Sequence, residues 1–136
     1  MTFTGRENLA LALDFVKAVE AGKHGDALNE FYHEGIQQVE YPNALTRQLI
    51  TRSLKDIKDS SISGQNVTIQ QTFEVIKSFV AGETVILEVV WTAILAIPIG
   101  SKSPGSQMKA YFAQFFEFKN GKIYRQRNYD CFEPFI

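Results

Sequence analysis

Asp130 is the residue of this sequence best suited to acid–base chemistry. It follows Tyr129 and is the only acidic residue in the segment 124–132. Apolar surroundings would disfavour its charged form, raise its pKa toward neutrality and make it a usable general acid and base. The alternative is a carboxylate at a strand end that is solvated or accepts a hydrogen bond from a backbone amide.

Tyr41 and Asn43 form a second pair of candidate site residues. In an extended segment, residues two apart project to the same face, so both side chains could hydrogen-bond one bound molecule. Asn43 follows Pro42, and the alternative is that its side chain caps a turn or a helix there.

The sequence contains no motif typical of a metal or nucleotide site. His24 and His33 stand on different predicted elements, and no His-Glu-x-x-His pattern occurs. A glycine-rich phosphate-binding pattern is also missing, and the single cysteine, Cys131, has no nearby histidine in sequence to activate it. We therefore expect no metal and no cofactor.

Composition and charge are those of an ordinary globular protein. The chain has 136 residues, 45% of them hydrophobic, which predicts a single domain over residues 1–136. A net charge of -1 without a basic stripe argues against nucleic acid as a partner. Glu88 interrupts the longest apolar stretch, and MTFTGRENLA at the start lacks signal-peptide features, so we expect a cytoplasmic protein without membrane contact.

Three helices are predicted in the first part of the chain. The capping box TGRE at residues 4–7 begins the first helix, which runs to about Ala21. Asp26 begins a short second helix that Gly35 ends, and a strand follows at 36–41. Thr46 begins a third helix, whose apolar residues are spaced at i, i+4 and i+7: Ile50, Leu54 and Ile57.

From Asn66 onward the apolar period changes to two, which predicts strands. In the first strand, Val67, Ile69, Phe73, Val75 and Phe79 should share one face. The next, 84–97, is apolar on both faces and should be interior to the sheet. Strands 108–118 and 122–132 are joined by an Asn-Gly dipeptide typical of a type I′ turn.

The predicted fold is α+β, with three N-terminal helices packed on one face of a curled antiparallel sheet. Such a sheet forms a cone with a pocket at its mouth. Candidate wall residues are aromatic, although core packing alone would explain each one: Trp91, Tyr129, Phe15, Phe31, Phe112 and Phe116. Glu88 is either a second buried carboxylate or a residue of the outer face.

The register of the last hairpin decides which side chain reaches this pocket. Regular pairing around the Asn-Gly turn matches Phe118 with Ile123 and Tyr111 with Asp130, which leaves Cys131 on the side of Phe118. A β-bulge would bring Asp130 inward instead, and bulges are common near functional sites. Asp130 stays the first candidate.

Three segments together resemble SnoaL-like proteins of the nuclear-transport-factor-2-like superfamily: Tyr41-Pro-Asn43, VVWTAILAIPIG at 89–100, and FFEFKNGKIYRQRNYDCFEPF at 115–135. The resemblance spans nearly the whole chain and implies a cone-shaped, cystatin-like fold. It also implies a small apolar molecule as ligand and a homodimer formed through the outer sheet face.

Polyketide cyclases, ketosteroid isomerases and limonene epoxide hydrolases are among the proteins of this superfamily that the sequence resembles. The epoxide hydrolases use a similar Tyr-x-Asn, but their central-strand Arg and Asp are replaced here by Val89 and Trp91. We therefore expect a cofactor-independent isomerase or cyclase in which Asp130 moves a proton. Tyr41, Asn43 or Tyr129 would stabilise the oxyanion. The alternative is a binding or assembly module without chemistry.

Overall fold

The computed structural model describes residues 4–136. Its helices are α1 (Gly5–Glu20) and α2 (Leu54–Ser63), with short 3₁₀ turns at Gly25–Leu28 and Gly64–Asn66. Its strands are β1 (Tyr32–Glu40), β2 (Ile50–Arg52), β3 (Thr68–Ala81), β4 (Thr84–Leu95), β5 (Gln107–Lys119) and β6 (Lys122–Phe132).

The strands of the described residues form one curled sheet in the order β2-β1-β6-β5-β4-β3. Its two edge strands, β2 and β3, do not pair with each other, so the sheet stays unclosed. The predicted sheet was wholly antiparallel, and this is wrong at one place, because β1 runs parallel to β6. Parallel neighbours need a long crossover, and here the chain passes through α2 and four strands, β2 to β5, before it returns beside β1.

The prediction of three helices is wrong, since residues 4–136 contain two α-helices. The predicted third helix begins later, at Leu54, because Ser53 and Asp56 form a reciprocal capping box. Ile50 belongs instead to β2, which pairs it with Glu40 of β1. The capping box predicted for α1 is present at Thr4.

The predicted second helix is also shorter than expected. Only the 3₁₀ turn Gly25–Leu28 forms, and Tyr32 already begins β1. Gly35, predicted to end a helix, lies inside this strand. A four-residue turn followed by a strand lets Phe31 and Tyr32 reach the core, where each is less than 5% exposed.

The two helices pack on the inner face of the sheet, and Phe15 of α1 lies at the centre of that contact. Its ring makes edge contacts with Phe31, Tyr32 and Phe116 at centroid distances of 5.6, 5.4 and 5.8 Å. Edge-to-face pairs of this kind stabilise a core beyond simple area burial. The inner-face residues of the sheet in this core include Val85, Leu87, Val89, Phe116, Phe118 and Ile123.

Two β-bulges in β3 change which of its side chains share a face, so the faces predicted for this strand are wrong in part. The register with β4 shifts between Thr68 and Gln70 and again between Val75 and Lys77. Ile69 and Phe79 were predicted to share one face with Val75, which packs against the core, yet they are 67% and 47% exposed. Each bulge adds one residue, so the alternation of side chains reverses beyond it.

A bulge in β6 has the same effect on the last hairpin. The turn residues Asn120 and Gly121 both have positive φ, as a type I′ turn requires, and Phe118 pairs with Ile123 as predicted. Glu117 then pairs with Arg125, so Tyr124 is the extra residue.

Beyond that bulge, Asp130 lies opposite Phe112, and Cys131 lies opposite Tyr111. The predicted pairing of Tyr111 with Asp130 is therefore wrong. The bulge places Asp130 on the inner side, whereas Cys131 is exposed.

Candidate functional site

A cavity of about 300 Å³ lies between the helices and the inner face of the sheet. Its size is at the lower end of the range of small-molecule pockets. The apolar wall consists of Phe15, Val16, Val19, Leu28, Ile57, Phe73 and Phe112. The polar wall consists of Tyr32, Gln38, Glu40, Arg52, Ser60, Ser61, Gln114, Gln126, Asn128 and Asp130.

The polar wall follows from the alternation of side chains along β6. Gln126, Asn128 and Asp130 are spaced by two residues and project to the same face. The neighbouring strands add to it, because β1 places Glu40 beside Asn128 and β5 places Gln114 on its other side. Three adjacent strands thus present polar side chains to one part of the cavity.

Asp130 is the carboxyl group of this wall without a charged partner in contact. It is half-buried, and its cross-strand neighbour is the ring of Phe112. Burial, and to a smaller extent the negative charge of Glu40, raise the pKa of Asp130 to about 7, whereas Arg52 acts in the opposite direction. A carboxyl group of this pKa exchanges its proton at neutral pH.

Glu40 has direct partners. Its Oε1 accepts a hydrogen bond from Arg52 Nη1 at 2.9 Å, and its Oε2 accepts one from Asn43 Nδ2 at 2.9 Å. The side chains of Arg52 and Glu40 are 19% and 13% exposed, so the ion pair is largely shielded from water. The cavity therefore holds one paired and one unpaired carboxyl group.

A chain of amide hydrogen bonds runs along the polar wall. Arg52 Nη1 donates to Gln38 Oε1 at 3.2 Å, and Gln38 Nε2 donates to Gln126 Oε1 at 3.2 Å. The Tyr32 hydroxyl donates to the same Gln126 oxygen at 2.9 Å. Gln126 Nε2 then donates to Asn128 Oδ1 at 3.1 Å.

None of the amide side chains in this hydrogen-bonded series was predicted from the sequence as a site residue. Gln126 and Asn128 alternate with Asp130 along β6, and Gln114 alternates with Phe112 and Phe116 along β5. This period of two was the available signal, but the faces it defines could be assigned in β6 only with the bulge in place.

Of the residues predicted for the site, Asp130, Phe15 and Phe112 line the cavity. Tyr41 and Tyr129 lie outside it and stack on each other at a centroid distance of 4.5 Å. Tyr129 lies on the outer face because of the bulge, which reverses the alternation of the β6 side chains beyond it. Tyr129 is 44% exposed.

Asn43 also lies outside the cavity lining. Its Oδ1 accepts hydrogen bonds from the backbone amides of Leu45 and Thr46, both at 2.9 Å. This is the turn cap that was considered as the alternative, and Asn43 contacts the site only through Glu40.

The other predicted wall residues lie behind the cavity surface. Trp91 stacks on Phe112 at 5.7 Å, and its indole N–H donates to Gln71 Oε1 at 3.1 Å. Phe31 and Phe116 are fully packed around Phe15. Glu88 is exposed on the outer face, opposite Ala113.

Within residues 4–136, no cluster of three or more His, Cys, Asp or Glu side chains is arranged to bind a metal ion. Among the same residues, no helix has the length and apolar character needed to cross a membrane.

Solved structures of bacterial proteins are similar to this chain over nearly its full length. AclR, a proposed hydroxylase of Streptomyces galilaeus, is 18% identical, with a TM-score of 0.77 and coverage of 96% of this chain and 83% of AclR. A proposed SnoaL-like polyketide cyclase of Jannaschia sp. CCS1 is 14% identical, with a TM-score of 0.73 and coverage of 92% and 85%. IdmH, a proposed polyketide cyclase of Streptomyces antibioticus, is 13% identical, with a TM-score of 0.77 and coverage of 90% and 91%.

No protein-family model and no curated protein sequence matches the chain. At the identities of the solved structures, the similarity establishes the fold. The chain has the SnoaL-like, nuclear-transport-factor-2-like fold, and the resemblance seen in the sequence is confirmed at that level. Function must be argued from the cavity, because one fold carries many activities.

The raised pKa of Asp130 predicts a pH dependence of stability that asparagine at this position would remove. Between about pH 4 and pH 7 the folded state keeps the proton of Asp130, whereas the unfolded state has released it. The stabilisation is complete below pH 4 and is lost as the pH rises through 7. The free energy of unfolding of the wild type minus that of Asp130→Asn should fall by up to about 4 kcal/mol over this interval.

Urea unfolding of both proteins at a series of pH values measures this difference. A difference that stays level from pH 4 to pH 8 would show that Asp130 is solvated and titrates as an ordinary carboxylate.

Proposed function

From the SnoaL-like fold and the contents of its cavity, we propose that this chain is a cofactor-independent isomerase or cyclase. Its substrate is a small, largely apolar molecule that carries a carbonyl group. The observation that carries the proposal is Asp130, an unpaired carboxyl group beside the Phe112 ring in a cavity with a largely apolar wall.

Asp130 acts as the group that moves a proton. A pKa of about 7 leaves comparable amounts of the acid and base forms at neutral pH. The carboxylate removes a proton from the carbon next to the carbonyl group, and the resulting carboxylic acid returns it to another atom of the same molecule. No oxidant or metal is needed for this sequence of steps.

The apolar wall binds the body of the substrate and excludes water. Phe15 and Phe112 supply aromatic surface, and Val16, Val19 and Ile57 supply aliphatic surface. Water exclusion strengthens the electrostatic interactions that stabilise a developing oxyanion. Tyr41, Asn43 and Tyr129, the donors predicted from the sequence, lie outside the cavity lining, so the donor comes from the polar wall.

The comparisons support a carbonyl chemistry of this kind, since two of the similar structures belong to proposed polyketide cyclases. A protein that only binds such a molecule would use the same cavity. The two functions differ in whether Asp130 exchanges protons with the ligand.

Hydrogen–deuterium exchange at a ketone carbon tests the proposed function. The protein is incubated with acetophenone in D₂O, and loss of the methyl proton signal is followed by NMR. The wild type should accelerate exchange above the buffer rate, and Asp130→Asn should lower the accelerated rate by about 100-fold or more, as loss of a general base does.

Glu88→Gln is the matched control, because it removes an exposed carboxylate outside the cavity and should leave exchange unchanged. Equal rates for the wild type and Asp130→Asn would contradict the catalytic proposal and favour a binding protein.

We also propose that two copies of the chain associate through the outer face of the sheet. Phe79, Ile86 and Phe115 lie side by side across β3, β4 and β5 on this face. Tyr129, on the same face, is 44% exposed. A contiguous apolar patch of this kind is typical of an interface, and a two-fold axis lets it pair with itself.

The association predicts a dimer of twice the chain mass of 15.4 kDa in sedimentation velocity. Ile86→Lys should dissociate it, since it places a charge in the middle of the outer face. Ile69→Lys should not, because Ile69 is the extra residue of a bulge in edge strand β3, outside the row of apolar residues. A wild-type protein that sediments as a monomer at micromolar concentration contradicts the proposal.

A further inference from the structure

The amide side chains of the polar wall can each be oriented in two ways, and hydrogen bonds decide between them. The oxygen of an Asn or Gln side chain only accepts, and its nitrogen only donates. When several amides bond in series, the orientation of one determines the next. A single group of fixed polarity at one end therefore orients the whole series.

Arg52 is such a group, because a guanidinium donates hydrogen bonds and accepts none. Its Nη1 donates to Gln38 Oε1 at 3.2 Å and to Glu40 Oε1 at 2.9 Å. Gln38 must therefore turn its oxygen toward Arg52 and its nitrogen toward β6.

The orientation of Gln38 fixes that of Gln126, which in turn fixes that of Asn128. Its Oε1 accepts from Gln38 Nε2 and from the Tyr32 hydroxyl, at 3.2 and 2.9 Å. Its Nε2 donates to Asn128 Oδ1 at 3.1 Å. Gln126 is 2% exposed, so a reversed amide would set two buried donors against each other without water to separate them.

Asn128 is the last residue of the hydrogen-bonded series, and its Oδ1 accepts from Gln126. Its Nδ2 makes no hydrogen bond to any residue of the described part of the chain, and the residue borders the cavity. The neighbouring carboxylate of Glu40 accepts hydrogen bonds from Arg52 and Asn43 and none from this Nδ2. The N–H group of Asn128 is thus presented to a ligand.

We infer that Asn128 donates the hydrogen bond to the carbonyl oxygen of the substrate, and that Arg52 fixes this donor through Gln38 and Gln126. The inference rests on the proposed function and completes it. Asn128 and Asp130 are two residues apart on one face of β6, about 7 Å along the strand. A carbonyl oxygen and its neighbouring carbon fit between a donor and a base at this spacing. Asn128 binds the reacting group, and Arg52, Gln38 and Gln126 are positioning residues.

The infrared carbonyl stretch of bound acetophenone, labelled with ¹³C at the carbonyl, tests this assignment. The measurement is made at about pH 9, where Asp130 with a pKa near 7 is ionised and cannot donate. In the wild type the band should lie at lower frequency than in an apolar solvent, because Asn128 donates to the oxygen. Asn128→Leu should remove this shift.

Two further variants test the positioning chain. Gln126→Glu replaces the amide by a carboxylate, both of whose oxygens accept hydrogen bonds. Asn128 must then turn its nitrogen toward this carboxylate and its oxygen toward the cavity. The carbonyl shift should then be lost although Asn128 is still present. Arg52→Lys is the conservative control, since an ammonium group also only donates, and it should keep the shift.

A wild-type band at the frequency of the apolar solvent, or a shift that survives Asn128→Leu, would overturn the inference. Asn128→Leu decides this alone if Gln126→Glu does not fold. The result is separable from the proposed function. A shifted band without Asp130-dependent deuterium exchange contradicts the acid–base role alone, and exchange without a shifted band contradicts the donor role alone.

Discussion

The bulge at Tyr124 determines which side chains of β6 line the cavity. Side chains alternate along a strand, so one extra residue exchanges the inner and outer positions of everything beyond it. With the bulge, Gln126, Asn128 and Asp130 face the cavity, and Cys131 is exposed. Without it, the cavity would lose its unpaired carboxyl group and both amides of β6. The part of the polar wall that β6 supplies depends on this single irregularity.

Arg52 has two effects on the site that follow from one position. It pairs with Glu40, which limits how far the negative charge of Glu40 raises the pKa of Asp130, and it orients the amide series that ends at Asn128. β2, the short edge strand, brings Arg52 to this place by pairing with the end of β1. One guanidinium thus opposes the rise in the pKa of Asp130 that burial and Glu40 cause, and it also orients the hydrogen bonds of the polar wall.

Local patterns in the sequence were sufficient to predict α1, β3 to β6 and the Asn-Gly hairpin, because caps, turn residues and alternation act over a few residues. They failed at residues 46–52. The apolar spacing there predicted a helix, but part of this segment pairs with β1 as a strand, and α2 begins only at Leu54. The site was predicted in part. Asp130 was identified, but Gln126 bonds to Tyr32 and Gln38 from 94 and 88 positions away, and no local signal specifies such contacts or the bulge that permits them.

The central claim is that Asp130 is a desolvated carboxyl group inside the cavity. A pH titration by carboxyl-carbon NMR, with the signal assigned by its absence in Asp130→Asn, measures this directly. Burial and the charge of Glu40 predict a pKa of about 7. A pKa near the ordinary value of 3.8 would mean that water reaches the carboxylate, and the proposed acid–base role would then be contradicted.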